Sequence, residues 1–245
     1  MNYFVKNELK VRVVLVQPRN PLNIGAAARA MSNFGFNDLA VVNPYGPVWR
    51  ETISAVGAEP VVLGANAVSS LDKAIEGCAL VLGTTTVRDR RLLRPVVPLN
   101  ELEAYFELCG VGPSSRIALV FGPEKTGLNN KHLEMCNAYL NIPTFPDTPS
   151  MNLSHAVAVC CYELARSANV GLKNSPELAT AESRERLVQH VLELFNAAGY
   201  LRKESPAKKL NKVRQTLIQW NLRSSDLWLM HGIIRYLLRK MIKKD

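Results

Sequence analysis

The sequence predicts an α/β fold with a largely parallel sheet, followed by a small all-α C-terminal domain. In the first two thirds of the chain, short apolar runs rich in β-branched residues alternate with segments of helical periodicity. This alternation is typical of a parallel sheet that helices cover on both faces, because strands buried on both faces are apolar throughout. In the last third, apolar residues recur at helical spacing, which indicates amphipathic helices.

Five strands are predicted in the first part, each ending within two residues of a glycine, a proline or an asparagine. They are residues 11–16, 39–42, 79–82, 117–121 and 139–142. Helices are predicted between them at residues 23–33, 69–76 and 99–109. A longer helix follows at residues 151–167, and Ser150 or Asn152 is its N-cap.

The chain divides at a polar stretch that contains Gly171 and Pro176. The predicted domains are residues 1–168 and 182–245, joined by a linker at residues 169–181. Three amphipathic helices are expected in the second domain: one stops at Gly199, one starts at Ser205 followed by a proline, and one spans 225–242. They suggest a small bundle.

Composition excludes several classes of protein. With 245 residues, of which 47% are hydrophobic, the chain can bury a core. It has no apolar run of the roughly 18 residues that span a bilayer and no signal-peptide pattern at its start, so we expect a cytoplasmic protein without a membrane segment. Five cysteines without C-x-x-C spacing and four scattered histidines predict neither a disulfide framework nor a metal site.

Basic charge is concentrated at the C-terminal end. The net charge is +9, and residues 172–245 hold 15 Lys/Arg against 7 Asp/Glu. Either this is a helical tail with solvated lysines or it is a surface for a polyanion, whose phosphates release counterions when they are neutralised. Charge alone does not choose between the two.

Three short polar segments follow apolar runs and are expected at one edge of the sheet. In the first, Asn23 to Arg29, a glycine and three alanines leave the helix start open to a phosphate or ribose, or else packed tightly against the sheet. The second, Gly122 to Leu128, is not a Walker A loop because no Lys-Ser/Thr follows its second glycine. Its Glu124 also suits a helix start. The third, Ser150 to Ser154, follows three prolines and also suits a stiff, capped connector.

As an ordered set, these segments resemble the three motifs of the TrmH-type ribose 2′-O-methyltransferases of the SPOUT superfamily, and within it the TrmJ-like tRNA enzymes. The resemblance covers Val11 to about Arg166. It implies a C-terminal trefoil knot in the α/β domain (the α/β knot), S-adenosylmethionine as methyl donor, no metal, and a homodimer with its active site at the two-fold interface. It also implies a ribose of tRNA as substrate, at nucleotide 32 of the anticodon loop.

The resemblance assigns residues as well. The matching catalytic positions are Asn23, Arg29, Glu124, Ser150 and Asn152. A guanidinium stays protonated, so we interpret Arg29 as a clamp on a phosphate or on the developing alkoxide, and leave the base unassigned. The matching methyl-donor contacts are Thr84, Thr85, Thr86, Gly122, Ile142, Pro149, Ser150 and Met151.

RNA contacts are expected at two basic clusters. Arg88, Arg90, Arg91 and Arg94 follow the donor-binding threonines, and the C-terminal helices offer Lys208, Lys209 and Lys212. The alternatives are a methyltransferase for rRNA or another tRNA nucleotide, and a non-catalytic RNA-binding protein of the same fold. The helical extension favours the TrmJ-like layout, and the intact polar motifs argue against a pure binder.

Overall fold

A parallel sheet of seven strands forms the centre of the computed structural model, which describes residues 9–46, 49–86, 93–112, 114–167, 178–200 and 205–242. The strands are β1 Lys10–Val16, β2 Asp38–Val42, β3 Asn66–Val68, β4 Leu80–Thr84, β5 Val96–Pro98, β6 Arg116–Phe121 and β7 Ala138–Asn141. Their order is β3-β2-β1-β6-β4-β7-β5, and every pairing is parallel. The predicted parallel sheet is therefore confirmed. The trefoil knot stays a prediction.

Alternate residues of the apolar strands supply two hydrophobic cores. Val13 and Leu15 of β1 belong to one cluster, whereas Val14 and Val16 belong to the cluster on the other face. The sheet is thus covered on both sides, which explains why its strands are apolar throughout. The strands missed by sequence, β3 and β5, have three residues each and include exposed positions, so they lack this pattern.

Six α-helices surround the sheet in the described part of the first domain. They are α1 Pro21–Asn33, α2 Glu59–Leu63, α3 Leu71–Ala74, α4 Leu102–Cys109, α5 Asn130–Glu134 and α6 Leu153–Ser167. Helix α1 starts earlier than predicted because Asn20 caps it, accepting a hydrogen bond from the backbone N–H of Leu22 (3.0 Å). The helix predicted at 69–76 shrinks to the four residues of α3. No helix among the described residues has both the length and the hydropathy needed to cross a membrane.

The basic C-terminal segment folds into three helices, α7 Ala181–Ala197, α8 Pro206–Gln219 and α9 Ser224–Ile242. Their shared core contains Leu187 and Val188 of α7, Leu217 of α8, and Leu227 and Ile234 of α9. The three predicted amphipathic helices and their bundle are present in the structure.

This bundle docks on the amino edge of the sheet, where β4 begins. The guanidinium of Arg184 is buried and donates to the carbonyl of Ala79 (2.7 Å), and the backbone N–H of Ala181 donates to the carbonyl of Cys78 (2.7 Å). Leu178 and Ala179 are buried as well. The end of the predicted linker is therefore part of the packed structure, while residues 168–177 lie outside the described residues.

Candidate active site

The three polar motifs meet at the carboxyl edge of the sheet. The first begins α1 after β1, the second follows β6, and the third follows β7. Strands β1 and β6 are neighbours, and β4 lies between β6 and β7. Because all these strands are parallel, their C-terminal loops converge in one crevice, where open α/β sheets bind ligands.

Glu124 joins the second motif to the first. Its Oε2 accepts a hydrogen bond from the backbone N–H of Arg19 (3.0 Å). Its Oε1 accepts from the backbone N–H of Asn20 (3.2 Å) and from Nδ2 of Asn23 (2.9 Å). Both carboxylate oxygens are thus used to hold the loop that precedes α1.

Asn23 is hydrogen-bonded in turn to the third motif. Its Oδ1 accepts a hydrogen bond from Nδ2 of Asn152 (3.2 Å). Oδ1 of Asn152 in turn accepts from the backbone N–H (2.9 Å) and the hydroxyl (2.8 Å) of Ser154 at the start of α6. Each asparagine therefore has one amide orientation that satisfies its partners. Glu124, Asn23 and Asn152, three of the five predicted catalytic residues, form one polar chain.

The protonation of Glu124 follows from these contacts. Partial burial raises the pKa of its carboxyl group, but the hydrogen bonds from Asn23, Arg19 and Asn20 outweigh burial, and the net pKa lies below the ordinary value. A carboxylate with a lowered pKa is a weak base at neutral pH. Glu124 is therefore suited to orient Asn23 rather than to remove a proton from a substrate.

A cavity of about 270 Å³ lies beside this polar chain. All eight residues predicted to contact the methyl donor line it: Thr84, Thr85, Thr86, Gly122, Ile142, Pro149, Ser150 and Met151. Leu140, Leu153 and Ala156 add apolar surface, so the lining combines hydroxyl groups and aliphatic side chains. This mixture fits an adenosine, whose base needs apolar contact and whose ribose needs polar partners. No group of three or more His, Cys, Asp or Glu in the described ranges is placed to hold a metal ion.

The cavity wall after β6 requires glycine. A Cβ atom on Gly122 would lie 2.2 Å from the backbone nitrogen of Leu128, because the loop folds back on itself. The backbone N–H of Gly127 donates to the carbonyl of Pro123 (2.8 Å), and Gly127 has a φ of +63°. Sequence reasoning missed Lys125 and Thr126 of the same loop, which also line the cavity, although their place inside the motif was a usable signal.

Two predicted catalytic residues do not join the polar chain. Ser150 is exposed and lines the cavity. Arg29 is exposed on α1, six positions after Asn23. At 100° and 1.5 Å per residue, Arg29 lies about 9 Å farther along the helix and about 120° around it. The side chains of Asn23 and Arg29 thus leave the helix in different directions.

The predicted RNA-binding residues differ in whether the structure describes them and in how exposed they are. Arg88, Arg90 and Arg91 lie outside the described residues. Lys208 and Lys212 are exposed on α8. The prediction that Lys209 contacts RNA is wrong, because this residue is only 7% exposed. Its Nζ donates to the carbonyl of Tyr200 and lies 4.2 Å from the centre of the Tyr200 ring.

Arg94 is also corrected, because it is only 5% exposed and its Nε donates to the carbonyl of Cys136 (3.2 Å). The sequence already indicated that Lys209 would be buried. Lys209 lies four residues before Val213 and eight before Leu217, in the apolar stripe of α8.

Comparison with known proteins places this arrangement among methylases. The model of the SpoU rRNA Methylase family matches residues 10–162. A tRNA (cytidine/uridine-2'-O-)-methyltransferase TrmJ from Photorhabdus laumondii is 34% identical over 237 residues, which cover 91% of this chain and 95% of the relative.

Solved structures similar to this chain include methyltransferases as well. TrmJ from Z. mobilis ZM4 superposes with a TM-score of 0.76 at 27% identity, covering 92% of this chain and 98% of that one. A protein solved to explain 2-OH methylation of C/U34 on tRNA has a TM-score of 0.51 at 25% identity. The superposition covers 66% of this chain and 92% of that protein's chain.

Proposed function

The chain belongs to the SpoU methylase family, and we propose that it transfers a methyl group from S-adenosylmethionine to the 2′-oxygen of a ribose in tRNA. The observation that carries this proposal is the polar chain Glu124–Asn23–Asn152, which lies beside a cavity lined by all eight expected donor contacts. The two TrmJ relatives named above cover 91% and 92% of this chain.

In this proposal the chain's own residues bind and orient the reactants. S-adenosylmethionine supplies an activated methyl group, so no metal is needed. The threonines and the Gly122 loop hold the nucleoside part of the donor. Asn23 and Asn152, which are linked by hydrogen bonds to Glu124 in the cavity wall, orient the ribose hydroxyl. Arg29 binds a neighbouring phosphate or the developing alkoxide. Positioning and preorganised donors then account for most of the acceleration.

The direction of Arg29 supports a homodimer. Its side chain leaves α1 away from the polar chain of its own protomer, and Leu22 and Tyr162 expose apolar surface on α1 and on the neighbouring α6. A second copy that covers this surface completes the RNA site. We therefore expect sedimentation at catalytic concentrations to show a dimer. A monomer that methylates tRNA would contradict this.

Within tRNA we propose nucleotide 32 as the target. The TrmJ relative matches 91% of this chain, whereas the protein that acts on C/U34 covers 66% of it, which leaves about a third of this chain without a counterpart. The larger share of matched chain makes the TrmJ relative the better guide to the target nucleotide. An enzyme acting on tRNA is expected in the cytoplasm.

Labelled donor and synthetic tRNA test this function. One transcript carries a 2′-deoxyribose at nucleotide 32 and a matched control carries it at nucleotide 34. We expect the first to accept no methyl group and the second to be labelled as the unmodified tRNA is. The opposite result would identify nucleotide 34 as the target. Label that enters rRNA but not tRNA would identify a ribosomal substrate. No transfer to any RNA would leave a binding protein. Added chelator should not reduce the rate, provided that the tRNA stays folded.

We infer that the extension contributes to tRNA affinity through exposed cations such as Lys208 and Lys212. Deleting the extension is a poor test, because the carbonyls of Cys78 and Ala79 would lose their partners. Lys208→Glu with Lys212→Glu keeps the bundle and is expected to weaken tRNA binding and flatten its salt dependence. Unchanged affinity and salt slope would show that these lysines are merely solvated.

A further inference from the structure

Helix α9 exposes large aromatic side chains that its own bundle does not use. Leu227 and Ile234 face the bundle core, whereas Trp228 is 84% and Tyr236 is 61% exposed. Tryptophan and tyrosine carry large apolar rings, and their exposure on one helix marks an interaction surface.

Exposed cations lie on the same helix as these rings. Arg235, Arg239 and Lys240 are exposed on α9, and Nζ of Lys240 lies 5.8 Å from the ring centre of Tyr236. At 100° per residue, Trp228, Arg235 and Arg239 project within about 40° of one another. The only acidic residue of α9 is Asp226 in its first turn, where it accepts a hydrogen bond from the backbone N–H of Arg223 (3.0 Å). The outer face of α9 therefore carries aromatic and basic side chains, together with the exposed aliphatic residues Leu229, Ile233 and Leu237.

A glycine leaves a notch between the two rings. Gly232 lies one helical turn after Trp228 and one before Tyr236, and a Cβ atom there would have nothing within 4 Å. Its backbone is helical, so no positive φ calls for glycine, and in the middle of an exposed helix glycine lowers stability relative to alanine. Trp228 and Tyr236 are eight residues apart, so their Cα atoms are separated by about 12 Å along the helix axis, which leaves room for planar groups to approach the helix between them.

We propose that this surface, formed by Trp228, Gly232, Arg235, Tyr236 and Arg239, binds unpaired nucleotides of the RNA substrate by stacking. Aromatic rings interleaved with arginines are the elements of single-strand recognition, because every base presents a π-face and every linkage a negative charge. Base-paired nucleotides are already stacked and offer no free face. Two copies of α9 placed face to face would instead bring six like charges together, so charge complementarity favours RNA over a second copy.

This inference rests on the proposed function only in taking RNA as the substrate. It predicts that the full chain binds a (U)10 oligoribonucleotide more tightly than a ten-base-pair RNA duplex. Trp228→Ala is expected to raise the Kd for (U)10 on the order of tenfold and to leave the salt slope unchanged, since the ring carries no charge. Arg235→Gln should flatten that slope. Leu229→Ala, which removes exposed apolar surface from the same helix but no ring, is the matched control and should bind as the unaltered chain does.

Gly232→Leu separates binding from folding. Leucine favours the helix, so the melting temperature should rise, whereas the filled notch should raise the Kd for (U)10. If Trp228→Ala and Gly232→Leu both bind (U)10 and tRNA as the unaltered chain does, the inference is wrong. If they dissociate a dimer in sedimentation without changing RNA affinity, the face joins two copies and the inference is equally overturned.

Methyl transfer by the unaltered chain is measured separately. Its absence, together with Trp228-dependent binding of (U)10, would refute the proposed function and leave this surface standing.

Discussion

Replacing Glu124 by glutamine tests whether a carboxylate holds the active-site loops together. The two oxygens of Glu124 accept three hydrogen bonds, from Arg19, Asn20 and Asn23. Glutamine has one oxygen and one NH2 group, so at least one of these donors would face another donor. A hydrogen bond to a charged group contributes about 1.5–3 kcal/mol, and solvent around this half-buried group reduces that. We expect Glu124→Gln to lower the free energy of unfolding by about 1–2 kcal/mol.

The pH dependence of that loss has a definite sign. The pKa of Glu124 is lowered in the folded protein from a reference value of 4.5, so its stabilising contribution is complete above that value. The contribution disappears as the pH falls through the lowered folded-state pKa. Urea unfolding should therefore show a constant difference between the unaltered chain and Glu124→Gln from pH 6 to pH 8, and a shrinking one below about pH 4.5.

The same substitution should slow methyl transfer, because Asn23 and through it Asn152 lose their fixed orientation. Single-turnover transfer at saturating tRNA measures this, and Glu107→Gln, at an exposed position on α4, is the matched control for loss of one charge. If Glu124→Gln unfolds and methylates as the unaltered chain does, the carboxylate does not organise the site. If its difference in stability grows in acid, the sign of the pKa shift is wrong.

Three further substitutions test the rest of the structure. Arg29→Ala should lower the rate of transfer on the order of a hundredfold, with little recovery in Arg29→Lys, while calorimetry shows unchanged donor affinity; a parallel loss of donor affinity would contradict its role. Gly122→Ala forces the loop apart and should abolish donor binding, which Gly232→Ala, in open space, should keep. Arg184→Met should cost about 2–4 kcal/mol in denaturant unfolding, whereas the exposed Arg186→Met should cost little.

Strand prediction succeeded where burial on both faces produced a continuous apolar run, as in β1 and β6. It failed for β3, whose residues Asn66 and Ala67 are exposed and whose pairing comes from β2. A three-residue edge strand has no pattern of its own, since its neighbour supplies the hydrogen bonds. Helix α1 was predicted from residue 23 but begins at Pro21, because Asn20 caps it.

The candidate site was predictable as a set of motifs but not as a geometry. Parallel strands bring their carboxyl ends to one edge, so alternation alone indicated that the motifs would meet. The hydrogen-bond partners of Glu124 could not be predicted. Asn23 lies 101 positions away, and the other two donors to Glu124 are backbone N–H groups, which have no signature in the sequence.

The sequence by itself determined the class of fold, five of the seven strands, the three motifs and the basic C-terminal helices, because these depend on local periodicity and composition. Only the tertiary structure decided which polar groups meet and on which edge of the sheet the bundle docks. It also decided that Tyr200 is the partner of the buried Lys209. Successive residues of a helix point about 100° apart, so their exposure depends on what packs against each face. That packing is a property of the assembled chain.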